Sequence, residues 1–134
     1  MVKKILILLT ATYTMLHAQQ VMEEVIVHDD ITRSYILYVP DSYSSLNPTP
    51  LVLNLHGYSS NAGQQMIYSN FYTLADLEGF ILVHPQGTLD NQGFAYWNSG
   101  GITEVDDVGF LSSLIDTIAT DYNINLDRVY SMGM

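Results

Sequence analysis

The last six residues of the chain carry its most direct signal for chemistry. Residues 129–134 read VYSMGM, a short apolar run that leads into Gly133 and Met134. A strand that runs into Gly-x is the beginning of the G-x-S-x-G turn, which presents a nucleophilic serine at the end of a strand. We therefore expect the nucleophile to be the residue after Met134, and we expect no catalytic residue within the chain itself.

A second motif lies upstream, where residues 51–58 read LVLNLHGY. Gly57 has no Cβ and lets the backbone turn away from the strand end, so that the Tyr58 amide can point into a site. By itself this motif is equally consistent with an ordinary strand end and turn, in which His56 bonds to nearby backbone. The order of the two motifs along the chain favours a functional site.

Four further segments lie after the second motif: residues 83–87 read VHPQG, 96–100 YWNSG, 105–111 VDDVGFL and 127–130 DRVY. Together with the two motifs, they resemble the secreted serine esterases that group polyhydroxybutyrate depolymerases with feruloyl and acetylxylan esterases. The resemblance covers roughly residues 33–134. It implies the N-terminal part of an α/β-hydrolase fold, with an initial hairpin followed by βαβαβ and an end at the nucleophile elbow.

The resemblance also implies roles for individual residues. In these esterases the residue after His-Gly supplies one oxyanion N–H, and the residue after the serine supplies the other. Tyr58 is then an oxyanion-hole donor, His56 and Gly57 form the oxyanion loop, and Gly133 and Met134 begin the elbow. The catalytic acid and histidine follow the serine in chain order. Both are expected beyond Met134, and the fragment is expected to be inactive.

Other residues that resemble catalytic groups receive a structural interpretation. His28, His56 and His84 all precede the elbow, whereas the catalytic histidine of this fold follows it. Ser131 is placed within the last strand, because the elbow pattern would require glycine at position 129, where valine stands.

Asp106 and Asp107 are interpreted as a helix N-cap and a dipole partner. This accounts for them without a catalytic carboxylate pair or a metal site. Trp97, on a long loop, either walls a substrate cleft or fills the core. The chain has no cysteine and no G-x-G-x-x-G fingerprint. We therefore expect neither a metal nor a cofactor.

The N-terminus predicts export. Lys3 and Lys4 precede an apolar stretch over residues 5–16, and the small residue Ala18 follows. This is the pattern of a signal peptide over residues 1–18, cleaved before Gln19, and the apolar run is short for a bilayer span. The alternative is a buried N-terminal helix or strand. Secretion predicts an extracellular or periplasmic location for residues 19–134.

The composition of the chain limits which classes of molecule it is expected to bind. The chain has 134 residues, of which 48% are hydrophobic and 13% charged. These values describe a globular domain, although a complete α/β-hydrolase usually needs on the order of 200 residues or more. Residues 1–18 hold two of the 4 basic residues and none of the 14 acidic ones, which leaves −12 after cleavage. Such a charge disfavours nucleic acid and anionic membranes and suits a neutral ester substrate.

Periodicity predicts the elements that must position these residues. A hairpin is expected over residues 24–39 with its turn at Asp29-Asp30, and buried strands over residues 51–55 and 80–83. One helix is expected over residues 62–77, stopped by Gly79, and a second begins at Asp106. The first helix has the apolar stripe Ile67, Phe71 and Leu74, and the second the face Val108, Leu111, Leu114, Ile115 and Ile118.

Three other functions remain open on the sequence. One is a secreted, non-catalytic module that binds glycans through Trp97 and the loop tyrosines. Another is an inactive hydrolase remnant. The third is a relative with peptidase or carbon–carbon hydrolase activity on the same scaffold.

Overall fold

A computed structural model of the protein describes residues 20–101 and 103–134. The predicted signal peptide and its cleavage site lie outside the described residues. Strands β1 (Gln20–His28) and β2 (Ile31–Val39) form the predicted hairpin and pair antiparallel over their whole length. Asp29 and Asp30 have φ values of 47° and 59°. Two consecutive residues with positive φ are the requirement of a two-residue type I′ turn, which aspartate tolerates.

The main sheet has five strands in the order β1-β2-β4-β3-β7. Its other strands are β3 (Thr49–Leu55), β4 (Ile81–Pro85) and β7 (Ile124–Gly133). Strand β3 pairs parallel to both β4 and β7, whereas β4 pairs antiparallel to β2. The predicted hairpin and βαβαβ succession are thus confirmed. Because the chain crosses from one side of β3 to the other, the carboxyl end of β3 is a topological switch point, where α/β folds bind ligands.

The single helix predicted over residues 62–77 is wrong, because the structure has two short helices there. These are α1 (Ala62–Tyr68) and α2 (Tyr72–Glu78). The Gln65 amide donates to Asn54 and to the Ser69 hydroxyl, and the Ser69 N–H closes α1 on the Gln65 carbonyl. Asn70 then accepts from the Tyr72 N–H at 3.2 Å. Such side-chain bonds to nearby groups compete with helical ones and end the helix.

The predicted apolar stripe of this segment is wrong for Ile67 and Leu74, whereas Phe71 is partly buried against the core. The side chains of Ile67 and Leu74 are 76% and 44% exposed. The residues buried against the sheet are the small or polar ones, Ala62, Gln65 and Ala75. The predicted stop is confirmed, since Gly79 has φ of 69° and its N–H bonds to the Ala75 carbonyl. A glycine takes this left-handed C-cap without a Cβ penalty.

Helix α3 (Asp107–Asp121) begins as predicted, with Asp106 as N-cap accepting from the Gly109 N–H at 2.8 Å. Its buried face is Phe110, Leu114 and Ile118. Val108, predicted on that face, is 77% exposed. The i, i+4, i+8 spacing from Phe110 defines the inward face, and Val108 lies outside it.

The core occupies both faces of the sheet. On one face α3 covers alternate residues of the strands, in a cluster of Tyr35, Leu37, Val39, Leu51, Leu53, Ile81, Val83, Phe110, Leu114 and Ile118. On the other face a smaller cluster joins α2 to the sheet through Tyr38, Ala75 and Leu82. Within the described part of the chain, no helix has the length and apolar character needed to cross a bilayer.

The long loop predicted after β4 contains a second, two-stranded sheet. It pairs β5 (Thr88–Leu89) antiparallel with β6 (Ala95–Tyr96). Asp90 closes the connection by accepting from the N–H groups of Gln92 and Phe94 at 2.9 and 2.8 Å. We call this loop, residues 86–104, the excursion. Its strands β5 and β6 lie side by side.

We predict that His84 makes the stability of the fold depend on pH. The His84 side chain is completely buried in β4, and this burial lowers its pKa from 6.5 to about 4. As the pH falls from 6.5 towards 4, His84 binds a proton in the unfolded chain but not in the folded chain. The free energy of unfolding therefore decreases. The full effect is on the order of 3 kcal/mol.

Urea unfolding of the full-length protein at pH 7 and pH 4.5 measures this loss. His84→Leu has no ring to protonate. In this variant, the difference in free energy of unfolding between pH 7 and pH 4.5 should be smaller by that amount. An unchanged difference would show that His84 is not the group responsible.

Candidate active site

The two motifs at the ends of β3 and β7 lie side by side in the structure. Gly133 pairs with Leu55 in the parallel register, and the Met134 N–H donates to the Leu55 carbonyl at 3.3 Å. A Cβ on Gly133 would overlap that same carbonyl oxygen, so the close approach of the strands requires glycine here. A Cβ placed on Gly57 would lie 3.5 Å from the Met134 Cβ. The chain end of β7 therefore contacts the loop after β3.

The residues after His56 form a tight turn. The Ser60 N–H donates to the Gly57 carbonyl at 3.1 Å, and Ser59 has φ of 62°. A bond from the fourth residue to the first, with positive φ at the third, is the pattern of a type II turn. The turn does not use the N–H of its second residue, Tyr58. Within residues 20–101 and 103–134, this N–H donates to no acceptor, and Tyr58 lines an adjoining cleft.

His56 fastens the turn to the neighbouring strand end. Its ring is completely buried. Nδ1 lies 2.8 Å from the Gly57 carbonyl and Nε2 accepts from the Gly87 N–H at 2.9 Å. A carbonyl only accepts and an amide N–H only donates, so the ring is neutral and carries its proton on Nδ1. Both nitrogens are occupied by backbone, as a structural histidine requires.

The excursion after β4 holds the other side of the turn. The Trp97 indole N–H donates to the His56 carbonyl at 2.8 Å, and the two rings lie 5.1 Å apart. The Ser59 N–H donates to the Ala95 carbonyl at 2.8 Å. Trp97 is half-buried against the main core and is not among the residues that line the cleft beside Tyr58. Its role as a substrate wall stays a prediction.

The Tyr58 side chain is bound to the same excursion, although it is 61% exposed. Its hydroxyl donates to Asp90 at 2.8 Å and its ring packs near Phe94. The Phe94 N–H is the main cause that holds the Asp90 pKa below its ordinary value, and the bond to Asp90 raises the Tyr58 pKa. The phenol is therefore anchored, whereas the backbone N–H has no acceptor among the described residues.

A cleft of about 430 Å³ opens between the turn and α1. Its lining combines the turn with α1 and the end of β7: Gly57, Tyr58, Ser60, Gln64, Gln65, Ile67, Tyr68 and Met134. An acyl or alkoxy group would fit a cleft of this kind beside an N–H donor.

Gln86 joins three parts of the site and was not singled out from the sequence. Its side-chain oxygen accepts from the Ala62 N–H at 2.9 Å, and its amide nitrogen lies 3.3 Å from His56 Nε2. Its carbonyl accepts from Arg33 at 3.1 Å. The only signal for Gln86 in the sequence was that a polar residue directly follows a buried strand. This signal does not reveal the hydrogen-bond partners of Gln86.

The interpretation of Asp107 as a dipole partner alone is incomplete. Asp107 and Arg33 are only 5% and 3% exposed and form an ion pair at 2.6 Å. The second carboxylate oxygen of Asp107 accepts from the Asn98 N–H at 2.6 Å. Arg33 also stacks over the Phe110 ring at 3.8 Å. The pair ties α3 and the excursion to β2. An arginine at an inward position of β2 was the signal for a buried partner.

The remaining candidates lie away from the cleft. Ser131 pairs with Leu53 inside β7, as expected. His84 lies buried in β4. His28, at the end of β1, has Nδ1 3.1 Å from the Ser113 hydroxyl. None of the three lines the cleft.

Comparison with known proteins agrees with this geometry. The family described as "Esterase PHB depolymerase" matches residues 33–134. The chain belongs to this esterase family. A bifunctional acetylxylan esterase/xylanase of Neocallimastix patriciarum is 36% identical over 102 residues, which are 75% of this chain and 14% of that protein. The resemblance inferred from the sequence motifs is thus confirmed.

Solved structures show the fold of this family member. An acetyl xylan esterase from Aspergillus awamori has a TM-score of 0.67 and 18% identity, over 85% of this chain and 42% of that one. An S-formylglutathione hydrolase of Staphylococcus aureus has a TM-score of 0.62 and 15% identity, over 86% and 47%. The chain has part of an α/β-hydrolase fold. It spans less than half the length of these proteins.

Proposed function

We propose that the full-length protein is a secreted carboxylic ester hydrolase that acts through a serine acyl-enzyme. The observation that carries this proposal is the unused Tyr58 N–H, held in a type II turn against the end of β7. In this proposal the serine follows Met134, so that its hydroxyl and the Tyr58 N–H face the same carbonyl group.

The chemistry follows from that placement. The serine oxygen attacks the ester carbonyl, and negative charge develops on the carbonyl oxygen. The Tyr58 N–H donates to this oxygen, together with the N–H of the residue after the serine. The turn is fixed beforehand by His56, Trp97 and Ser59, so the donor needs no reorganisation during the reaction. The histidine expected after the serine takes the serine's proton and gives it to the departing alcohol, and water then releases the acid from the acyl-enzyme.

The substrate class is a neutral ester of a polymer. Feruloyl, acetyl-xylan and polyhydroxyalkanoate esters all fit a chain with a charge of −12 after removal of residues 1–18. Acetylated xylan is the first to test, because the Neocallimastix relative is an acetylxylan esterase/xylanase. Lys3, Lys4 and the apolar residues 5–16 support export by a signal peptide. N-terminal sequencing of the exported protein should find Gln19 first.

The test is turnover by the full-length protein with acetylated xylan, feruloyl esters, polyhydroxybutyrate and a chromogenic acetate ester. We expect hydrolysis of at least one, and a loss of about 10⁴-fold or more when the serine after Met134 is replaced by alanine. Purified residues 19–134 should show no turnover. Activity in that fragment, or a residue other than serine after Met134, would contradict the mechanism. Glycan binding without turnover would favour the non-catalytic alternative.

A further inference from the structure

A cluster of three potential metal ligands lies beside the first turn of α3. His28 ends β1, Asp29 begins the hairpin turn, and Asp106 is the N-cap of α3. The His28 Nε2 lies 3.6 Å from an Asp29 carboxylate oxygen and 3.7 Å from an Asp106 carboxylate oxygen. The three ligand atoms lie within 4.8 Å of one another.

These separations are too long for hydrogen bonds, whose N–H···O distances are about 2.7–3.2 Å. They are close to the spacing of ligands around a tetrahedral ion, because metal–ligand bonds of about 2.0–2.1 Å place neighbouring ligand atoms about 3.4 Å apart. The His28 Nε2 is itself buried and has no hydrogen-bond partner in the described part of the chain. Its side chain is 15% exposed. Buried side-chain nitrogens are nearly always hydrogen-bonded, so this nitrogen, which faces two carboxylates, needs an explanation.

The surroundings keep each ligand atom available. The other ring nitrogen of His28, Nδ1, lies 3.1 Å from the Ser113 hydroxyl. In the site proposed below, Nδ1 donates to this hydroxyl, which fixes the ring and leaves the lone pair of Nε2 for the ion. Asp106 caps the Gly109 N–H with one oxygen, Oδ1, and presents the other, Oδ2, to His28. A Cβ on Gly109 would overlap the Asp106 carboxylate and lie 3.0 Å from Nε2. The glycine thus leaves the space free.

We propose that His28, Asp29 and Asp106 bind a divalent transition-metal ion of the Zn²⁺ class. One imidazole and two carboxylates suit Zn²⁺ better than Ca²⁺ or Mg²⁺, which prefer oxygen ligands alone. Asp29 and Asp106 have side chains 68% and 52% exposed, so water completes the coordination. The ion links the β1–β2 turn to the start of α3. The sequence alone predicted no metal here, because His28 and Asp106 are distant along the chain.

The test compares two neighbouring turn residues in the full-length protein. Asp29→Asn and Asp30→Asn change the charge equally, and asparagine tolerates the left-handed backbone that both positions have. Zn²⁺ is titrated calorimetrically into chelator-treated protein. We expect one site per chain in the parent protein, at least tenfold weaker binding in Asp29→Asn, and unchanged binding in Asp30→Asn.

A second measurement identifies the nitrogen ligand. Zn²⁺ should shift the ¹⁵N resonance of His28 Nε2 and leave that of Nδ1 in its hydrogen-bonded range, and His28→Gln should abolish the site. Three results would overturn the proposal: no saturable Zn²⁺ binding, equal weakening by both asparagine variants, or preference for Ca²⁺ over Zn²⁺. None of these depends on ester hydrolysis, so the metal site and the proposed function are tested separately.

Discussion

Replacing Tyr58 by proline is expected to lower kcat of the full-length esterase by about 10²–10³, with little change in folding stability. Loss of one oxyanion donor typically has an effect of this size. Proline removes the N–H, and the second position of a type II turn favours proline because its φ is preset near −60°. Tyr58 occupies that position between Gly57 and Ser59. The variant therefore deletes the proposed donor without disturbing the turn that holds it.

Two matched variants separate the N–H from the side chain. Tyr58→Phe loses the hydroxyl bond to Asp90, and Tyr58→Ala loses the ring, but both keep the backbone N–H. We expect kcat to stay within about tenfold of the parent in both, well short of the loss of an oxyanion donor. Steady-state kinetics and urea unfolding measure the two properties. If Tyr58→Ala were as inactive as Tyr58→Pro, the side chain and not the N–H would be the important group.

Replacing Arg33 by methionine is expected to destabilise the full-length protein by about 3–5 kcal/mol. The change leaves the Asp107 carboxylate buried with a single bond, from the Asn98 N–H. It also removes the bond from Arg33 to the Gln86 carbonyl. A buried charge without its partner carries most of its desolvation penalty. Equilibrium unfolding in urea measures the loss.

Two further variants identify the cause. Arg33→Lys keeps the charge but loses the planar stacking over Phe110, so we expect a smaller loss. Arg33→Met combined with Asp107→Leu removes both charges and should recover part of the stability, since replacing a whole buried ion pair with apolar residues is often nearly neutral. An additive loss in the double variant would show that packing, rather than the unpaired charge, dominates.

The succession of the main strands along the chain was predictable because each local signal is strong. Asp29 and Asp30 mark a two-residue hairpin, and apolar runs mark buried parallel strands. The split between α1 and α2 was not predictable from periodicity. Ile67 and Leu74 fit a helical stripe yet lie exposed. For Ile67 the reason is that the Gln65 amide bonds to Asn54 in the sheet and fixes which side of α1 faces inward. A contact between distant residues thus overrides the local apolar pattern.

The candidate site also has features that could be interpreted from the sequence and features that could not. The types of residue at positions 56–58 and 133–134 could be interpreted from the sequence, because turns and strand ends impose local requirements that glycine meets. The groups that hold these residues in place could not be interpreted from the sequence. Gln86 and Trp97 contact His56, and Asp90 accepts from the Tyr58 hydroxyl, all three from the loop after β4.

The sequence by itself determined the family, the initial hairpin, the succession of the main strands along the chain and the positions of the two motifs, since these follow from local composition and spacing. Tertiary structure alone decided that Gly57 contacts Met134, that Asp107 pairs with Arg33, and that His28 meets Asp29 and Asp106. The physical reason is that side-chain bonds and steric fit act over a few ångströms in space. Residues far apart in sequence come within that range only when the sheet has formed.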